Sequence, residues 1–347
     1  MKENIKLIIG IAIGAILLFL FFRKADFSQF LESLKEANYG IIFIIFVLLT
    51  FTYVLRGLRW QYFLLPIKKA KLSNLITTTI IGFTVTTLLP GRLGEIARPY
   101  LLGVKENISK SAAFATVIVE RLFDFITIFL FFSFYLLLKP PSAPKSVHEK
   151  SLLEAYQEGG IIGIAICVFF IILLILIHLK TEWFQSLMDK LIKPLPKKFA
   201  QKVRKPLNSF IKGLVIIDMK KNLPFLVIYS LVLWLIIAFC YWLGLIAFNI
   251  KLPFYFAFFL NTAAAIGAVI PTPAGVGAYH MACQICLVVF LGLDANISRA
   301  YATIMHAVSF FPIAIFGIIL IWMEGLSFSK IKRMRDEPAN NKKINDV

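Results

Sequence analysis

Pro90-Gly91-Arg92-Leu93-Gly94 in the first half of the chain is answered by Pro273-Ala274-Gly275-Val276-Gly277 in the second. Downstream, Ala113-Phe114-Ala115-Thr116-Val117-Ile118 is answered by Ala300-Tyr301-Ala302-Thr303-Ile304-Met305, giving offsets of about 183 and 187 residues. Each Pro/Gly cluster interrupts a long apolar stretch, where proline removes a helical hydrogen bond and glycine tolerates unwound backbone. A hydrophobic unit that is duplicated, and broken at the same place in each copy, is the sequence sign of a transport site at a repeat interface.

Working outward, 59% of the 347 residues are hydrophobic and 16% charged, with a mean hydropathy of +0.82. A soluble core of this length cannot bury so much apolar material, which makes the chain an integral membrane protein. Six stretches suit full spans of roughly 20 residues: Ile5–Phe22, Ile41–Arg59, Ala112–Leu138, Ile161–Leu179, Phe225–Phe248 and Ala300–Met323. Lys2 and Lys6 precede the first as in a secretory signal, yet Arg23 and Lys24 follow where small residues mark a cleavage site, so it reads as a retained anchor. Cys167, Cys240, Cys283 and Cys286 all lie in apolar segments and read as packing residues.

Basic residues near the spans mark the cytoplasmic side. Residues 180–221 hold eleven Lys/Arg against three acids, and the tail from Lys330 holds six against three; both face the cytoplasm. The Arg56–Lys71 connection, with Arg56, Arg59, Lys68, Lys69, Lys71 and no acid, joins them, while Arg23–Glu36 and Lys139–Glu158 balance three against three and face outward. Parity then requires 74–104 to leave and return on the cytoplasmic side and 253–291 to do so on the outer side.

The expected architecture is an all-α polytopic membrane protein with six full spans and two Pro/Gly-broken helical hairpins arranged as inverted repeats, both termini cytoplasmic. Gly94–Val104 is too short and polar to cross, so the first hairpin reads as re-entrant, and the second follows by symmetry, although two full spans keep the same parity. The chain divides into a first membrane half (1–179), a basic amphipathic linker (180–221) lying on the anionic leaflet or solvated beside it, a second half (222–325) and a basic tail expected to be disordered (326–347).

Arg92, Glu95 and Arg98 open the second arm of the first hairpin at three-residue spacing and share a helical face. Glu120, Arg121 and Asp124 lie about ten residues inside the next span. Charges at such depth pair with one another or face a polar path, and mark function. Two readings stand: an ion-pair strip that holds the hairpin, or arginines that bind a phosphate beside a helix N-terminus, with the carboxylates structural or proton-coupling. The second half offers neutral groups instead: Asn261, Thr262, Thr272, Tyr279, His280, His306 and Ser309, with Thr272, Gly275 and Gly277 in the stretch expected to unwind. His280, Cys283 and Cys286 recur every three residues but drift around a helix, so no metal ligand set is assigned. With no Walker lysine or phosphate-cradling loop, no nucleotide or other cofactor is expected. The net charge of +18 lies in loops beside Trp60, Tyr62, Trp183 and Trp322, as for interfacial anchors and anionic lipid contacts rather than nucleic acid.

Leu89-Pro90-Gly91-Arg92-Leu93-Gly94-Glu95-Ile96-Ala97-Arg98, Val119-Glu120-Arg121-Leu122-Phe123-Asp124 and Pro271-Thr272-Pro273-Ala274-Gly275-Val276-Gly277-Ala278 closely resemble the flippase-like membrane region of lysylphosphatidylglycerol synthases, over nearly the whole chain. The soluble synthase domain of the two-part members is absent from these residues. The resemblance implies a place in a lipid path for Arg92, Glu95, Arg98, Glu120, Arg121 and Asp124. The family pattern carries an acid shortly after the second Pro/Gly motif, where this chain has Tyr279 and His280. The expected function is translocation or binding of an anionic phospholipid or polyprenyl-phosphate-type lipid in the cytoplasmic membrane. The alternatives are a lipid-modifying transferase of the phosphatidylglycerol lysyltransferase kind and a non-catalytic partner of a lipid- or glycan-synthesis enzyme.

Overall fold

The computed structural model describes residues 2–89, 93–138, 158, 161–169, 171–173, 176, 179–194, 200, 221–270 and 272–327. Among them all regular structure is helical, as a bilayer demands of any segment that must satisfy its own backbone polar groups. The helices are α1 (Lys2–Phe22), α2 (Phe27–Glu36), α3 (Tyr39–Leu64), α4 (Leu72–Leu88), α5 (Gly94–Glu106), α6 (Lys110–Leu138), α7 (Thr181–Ile192), α8 (Leu223–Ala247), α9 (Phe256–Val269), α10 (Ala278–Ile285) and α11 (Ala295–Met323).

Four of these, α3, α6, α8 and α11, are unbroken and apolar over a membrane's width, and the broken stretch 273–290 reaches the same length. A sixth span arises if α1 and α2, bent by 90° at a short break, are taken together. The expected Ile161–Leu179 span lies partly outside the described residues; 161–169 is helical. The starts are written in the sequence. Asp26, Asn38 and Asp294 each accept backbone N–H bonds from the first turn that follows, and Pro224 occupies the first turn of α8.

The arms of the first hairpin and the α9 arm of the second are shorter than a bilayer core of about 30 Å, whereas the broken return arm of the second, 273–290, is long and apolar enough to cross. In the first, α4 and α5 rise roughly 26 and 20 Å. Leu89 turns extended at φ −112°, the conformation favoured before a proline, and α5 ends on Asn107 in the left-handed region at φ 53°. The arms touch at Gly82 and Gly94, where a Cβ on Gly94 would overlap the Gly82 carbonyl oxygen. The second hairpin repeats the device: a Cβ on Gly267 of α9 would lie 2.8 Å from the Tyr279 Cα of α10. Its tip is a single 3₁₀ turn, Pro273–Gly275, and its return arm ends in a π-helical turn at Cys286–Phe290.

The packing partners of the hairpins are exchanged. α4 lies against α3 of its own half and against α11 of the other, and α9 lies against α8 of its own half and α6 of the other. Their bases sit at opposite ends. The first is tied by Lys68, Lys71 and Asn74 to Glu106 and by Lys105 to Glu324 at the end of α11. The second lies where the Asn38 N–H reaches the Ala247 carbonyl at 2.8 Å and Gln29 meets Asn296 at 2.7 Å. α1 covers the second tip: a Cβ on Gly14 would sit 3.3 Å from the Val276 carbonyl. Of the basic linker, α7 is described and packs Phe184 against the buried cluster that includes Trp60 and Phe63, whereas most of residues 195–220 and the tail beyond 327 lie outside the described residues.

Two expectations are corrected here. Arg56 and Arg59, read as part of a basic loop, belong to α3, which runs on to Leu64, and both are buried. Trp60, expected as an interfacial anchor, is wholly buried, while Trp183 and Trp322 are exposed. For the arginines the reason is that α6 supplies carboxylates that neutralise them, and a helix that can discharge its cations internally has no cause to stop at them; Trp60 is held inside by the Thr116 hydroxyl of α6, to which its indole N–H donates at 2.9 Å.

Candidate functional site

Glu120 and Asp124 stand one turn apart on α6, and Arg56 and Arg59 stand three apart on α3, so two charged faces of opposite sign meet where the helices cross. Arg59 donates to Asp124 Oδ1 at 2.7 Å, to Ser230 Oγ of α8 at 3.0 Å and to Glu120 Oε1 at 3.2 Å. Trp234 of α8 adds an indole N–H to Asp124 at 2.9 Å. From α5, Arg98 reaches Glu120 at 3.0 Å with its guanidinium 3.8 Å above the Trp60 ring. Arg121 bonds Glu120 at 2.8 Å and approaches Asp124 at 3.3 Å, and Arg56 approaches Asp124 at 3.8 Å. Four guanidiniums thus face Glu120, Asp124 and the nearby Glu95 among the described residues, an excess of positive charge in a low-dielectric setting.

In front of this network lies a cavity of about 480 Å³, within the roughly 300–1,000 Å³ range of small-ligand sites. The tips of both hairpins reach it. Thr86, Thr87 and Leu89 come from the first, and Ala268, Val269, Ile270, Thr272, Ala274 and Gly275 from the second. Arg56, Arg121, Asp124 and Glu95 form its charged wall, and Asn261, Tyr279 and Ser309 belong to the neutral one. Its rim includes Phe125, Val269 and Ile270, all apolar and exposed on the outer surface of the bundle.

The residues singled out from sequence therefore separate into three groups. Glu95, Arg121, Asp124, Thr272, Gly275 and Tyr279 share the cavity. Arg98 and Glu120 sit behind it in the ion-pair network, both buried. Gly277 and His280 lie on the far side of the second tip, against α1: the His280 Nδ1 accepts from the Gly277 N–H at 3.3 Å and its ring meets Phe21 at 5.2 Å. Arg92 lies outside the described residues. The glycines of the second tip are required by backbone geometry, since Ala274, Gly275 and Gly277 all have φ between 54° and 80°. His306 pins this turn from α11, its Nε2 2.9 Å from the Ala274 carbonyl.

Sequence reasoning passed over Arg56, Arg59, Ser230 and Trp234. The i, i+3 spacing of the two arginines, in a helix whose apolar pattern continues to Leu65, was the available signal.

The lysylphosphatidylglycerol synthase TM region model matches residues 7–317. The chain belongs to that family. A UPF0104 membrane protein of Methanocaldococcus jannaschii is 28% identical over 261 residues, covering 74% of this chain and 99% of that protein. A UPF0104 membrane protein of Pyrococcus horikoshii is 23% identical over 343 residues, 92% of this chain and 97% of its own length. The glycosyltransferase AglD of Haloferax volcanii is 26% identical over 127 residues, 36% of this chain but 20% of that enzyme. No solved structure matches. The lysylphosphatidylglycerol synthase TM region family thus accounts for the multi-pass helical membrane architecture.

Proposed function

We propose that this protein binds an anionic phospholipid or polyprenyl-phosphate-type lipid in the cytoplasmic membrane and carries its headgroup between leaflets. The observation that carries this reading is the cavity between the two hairpin tips, where Arg56 and Arg121 line a wall backed by Arg59 and Arg98 and where the rim is apolar and open to the surface of the bundle. A phosphate placed there meets an excess of guanidinium, while acyl or isoprenoid chains lie over Phe125, Val269 and Ile270. The hairpins enter from opposite ends and exchange packing partners, which supports an inverted-repeat transporter with the cavity at its centre.

The test is movement of headgroup-labelled lipid in proteoliposomes. Anionic lipid crosses with the wild-type protein and fails to cross with Arg121→Gln. Equal movement with both proteins, or none with either, overturns the reading.

A second reading rests on the similarity to AglD: the chain serves as the membrane partner of a lipid- or glycan-synthesis enzyme. In that case co-purification follows the basic 180–221 segment, and neutralising its lysines abolishes function while Arg121→Gln is silent.

A further inference from the structure

Two histidines fasten the second hairpin tip, and they use the imidazole in opposite ways. A carbonyl oxygen only accepts, so the His306 Nε2 that lies 2.9 Å from the Ala274 carbonyl carries a hydrogen and donates it. A backbone N–H only donates, so the His280 Nδ1 that lies 3.3 Å from the Gly277 nitrogen is bare and accepts. The turn between these attachments holds Ala274, Gly275 and Gly277 at positive φ, which for alanine is a conformation that needs a partner to fix it.

The two bonds answer a proton differently. An imidazolium carries N–H on both nitrogens. His306 therefore keeps its bond to Ala274 in either charge state. His280 does not: once Nδ1 is protonated, two N–H groups point at each other and the attachment at Gly277 becomes a repulsion.

No counter-charge stands ready to hold a cation there. α4, α9, the tip, α10, the π-helical turn and α11 contain no Asp or Glu, and α1 has only Glu3, at the end remote from Phe21. The His280 ring meets Phe21 of α1, Tyr279 of α10 and, at 4.5 Å between ring centroids, His306 of α11. Beyond these lie the Tyr241 hydroxyl, bonded to that of Tyr279, with Cys283, Cys286 and Tyr301 in the same buried cluster. The basic residue of α11 is Arg299, bonded to the Phe21 carbonyl, and Lys2 and Lys6 share the remote end of α1 with Glu3. The closed tip thus has a place for a neutral His280 and none for a charged one. A proton is accommodated only after the tip has parted from His280 and water has entered, and by linkage acid favours that parted state.

Resting on the lipid-carrying reading above, we propose that His280 is a proton-binding site whose occupancy releases the second tip, so that passage of the lipid is coupled to a proton. The proton comes from water admitted to the tip, resides on Nδ1 while the Gly277 bond is broken, and returns to water when that bond re-forms. His306 is a positioning residue that holds Ala274 through both states.

The experiment has two readouts. Thr272 is 8% exposed and its hydroxyl has no partner, so Thr272→Cys is a mild change that reports opening of the tip. Its maleimide labelling in detergent is measured from about pH 8 to about pH 5.5 and divided by that of Lys251→Cys, an exposed position, which removes the titration of the thiol itself. The ratio is expected to rise about tenfold, as for one imidazole of ordinary pKa, about 6.5, that is reached only in the released state. His280→Asn keeps an acceptor for the Gly277 N–H but takes no proton, and flattens the ratio; His306→Gln keeps a donor for Ala274 and retains the rise. A flat ratio with His280 in place overturns the proposal, whether or not the variants fold.

The second readout is luminal pH, followed with pyranine in proteoliposomes while a red-fluorescent phosphatidylglycerol crosses and potassium with valinomycin holds the membrane potential at zero. Luminal pH is expected to change in step with lipid movement in the wild-type protein and to stay level in His280→Asn. Lipid movement at steady luminal pH in the wild-type protein overturns the coupling and leaves the lipid-carrying reading intact. Absence of lipid movement, with a labelling ratio that still rises in acid, sinks the lipid-carrying reading and leaves the proton site standing.

Discussion

Arg59 and Asp124, 65 positions apart in sequence, meet at 2.7 Å with the arginine side chain wholly buried and the aspartate 6% exposed. Removing one member of such a pair leaves the other as an uncompensated buried charge. Arg59→Leu removes the one side chain that bonds both Asp124 and Glu120 and leaves Ser230 facing an apolar group; Arg98 and Arg121 still hold Glu120 and Trp234 still holds Asp124, so a loss of about 3 kcal/mol, at the low end for buried pairs, is expected, read as a fall in the yield or melting temperature of detergent-solubilised protein. Arg59→Lys rescues poorly, because one ammonium cannot span two carboxylates and Ser230 as the guanidinium fork does.

Arg121 has a different standing. Its side chain is 32% exposed and lines the cavity, while Arg59 and Arg98 continue to hold Glu120 without it. Arg121→Gln is expected to leave the melting temperature within a few degrees and to lower lipid transfer at least tenfold, about 1.4 kcal/mol of lost interaction. A large fall in melting temperature with normal transfer per folded molecule contradicts this assignment.

Close approach of the arms makes Gly94 irreplaceable. Gly94→Ala forces apart α4 and α5, and little folded protein is expected. Gly292 has positive φ but nothing within 4 Å of an added Cβ, so Gly292→Ala carries only a backbone penalty of about 1 kcal/mol. Size-exclusion profiles of the two variants separate them.

At the base of the first hairpin, burial pushes the Glu106 carboxyl up, but the Asn74 amide and the Lys71 N–H outweigh it, aided by Lys68, and hold it below its usual value. A carboxylate lowered in the folded protein contributes stability that is full above its unfolded pKa of about 4.3 and is lost as the pH falls through the folded value. Melting temperature followed from pH 6 downward should therefore drop less steeply in Glu106→Gln than in wild type. Parallel curves count against the clamp.

The hairpin bases at opposite ends predict opposite accessibility. All four cysteines are buried, so an impermeant maleimide has little background. Lys69→Cys and Lys251→Cys, both at exposed positions, should label from opposite faces of sealed vesicles. Labelling from the same face removes the basis for the two-sided scaffold.

Much of this was legible in the sequence because its signals are local. Proline and glycine inside apolar runs announce broken helices without reference to any partner, and Glu120, Arg121 and Asp124 stand out against the hydrophobic residues beside them. Arg56 and Arg59 did not, because they sit only about three turns from the run at Lys68 to Lys71. Whether such an arginine is in or out of the bundle is decided by carboxylates more than sixty residues away. The setting of His280 was hidden for a similar reason: it follows the Pro/Gly motif closely in sequence, and that its imidazole turns to the Gly277 backbone is something only the fold of the tip determines. The neutral wall, by contrast, was visible as a set of residue types but not as a surface, since Asn261, Thr272 and Ser309 come from three separate elements.

His280 and His306 each commit a ring nitrogen to the second tip, and no ion pair among the described residues binds that tip to the rest of the bundle. Separating charges in a medium of low polarity is costly, whereas exchanging one uncharged hydrogen bond for another is cheap. Rearrangement during a working cycle is therefore expected to run asymmetrically: the arginine-laced first hairpin stays as the fixed jaw, and the histidine-stapled turn swings.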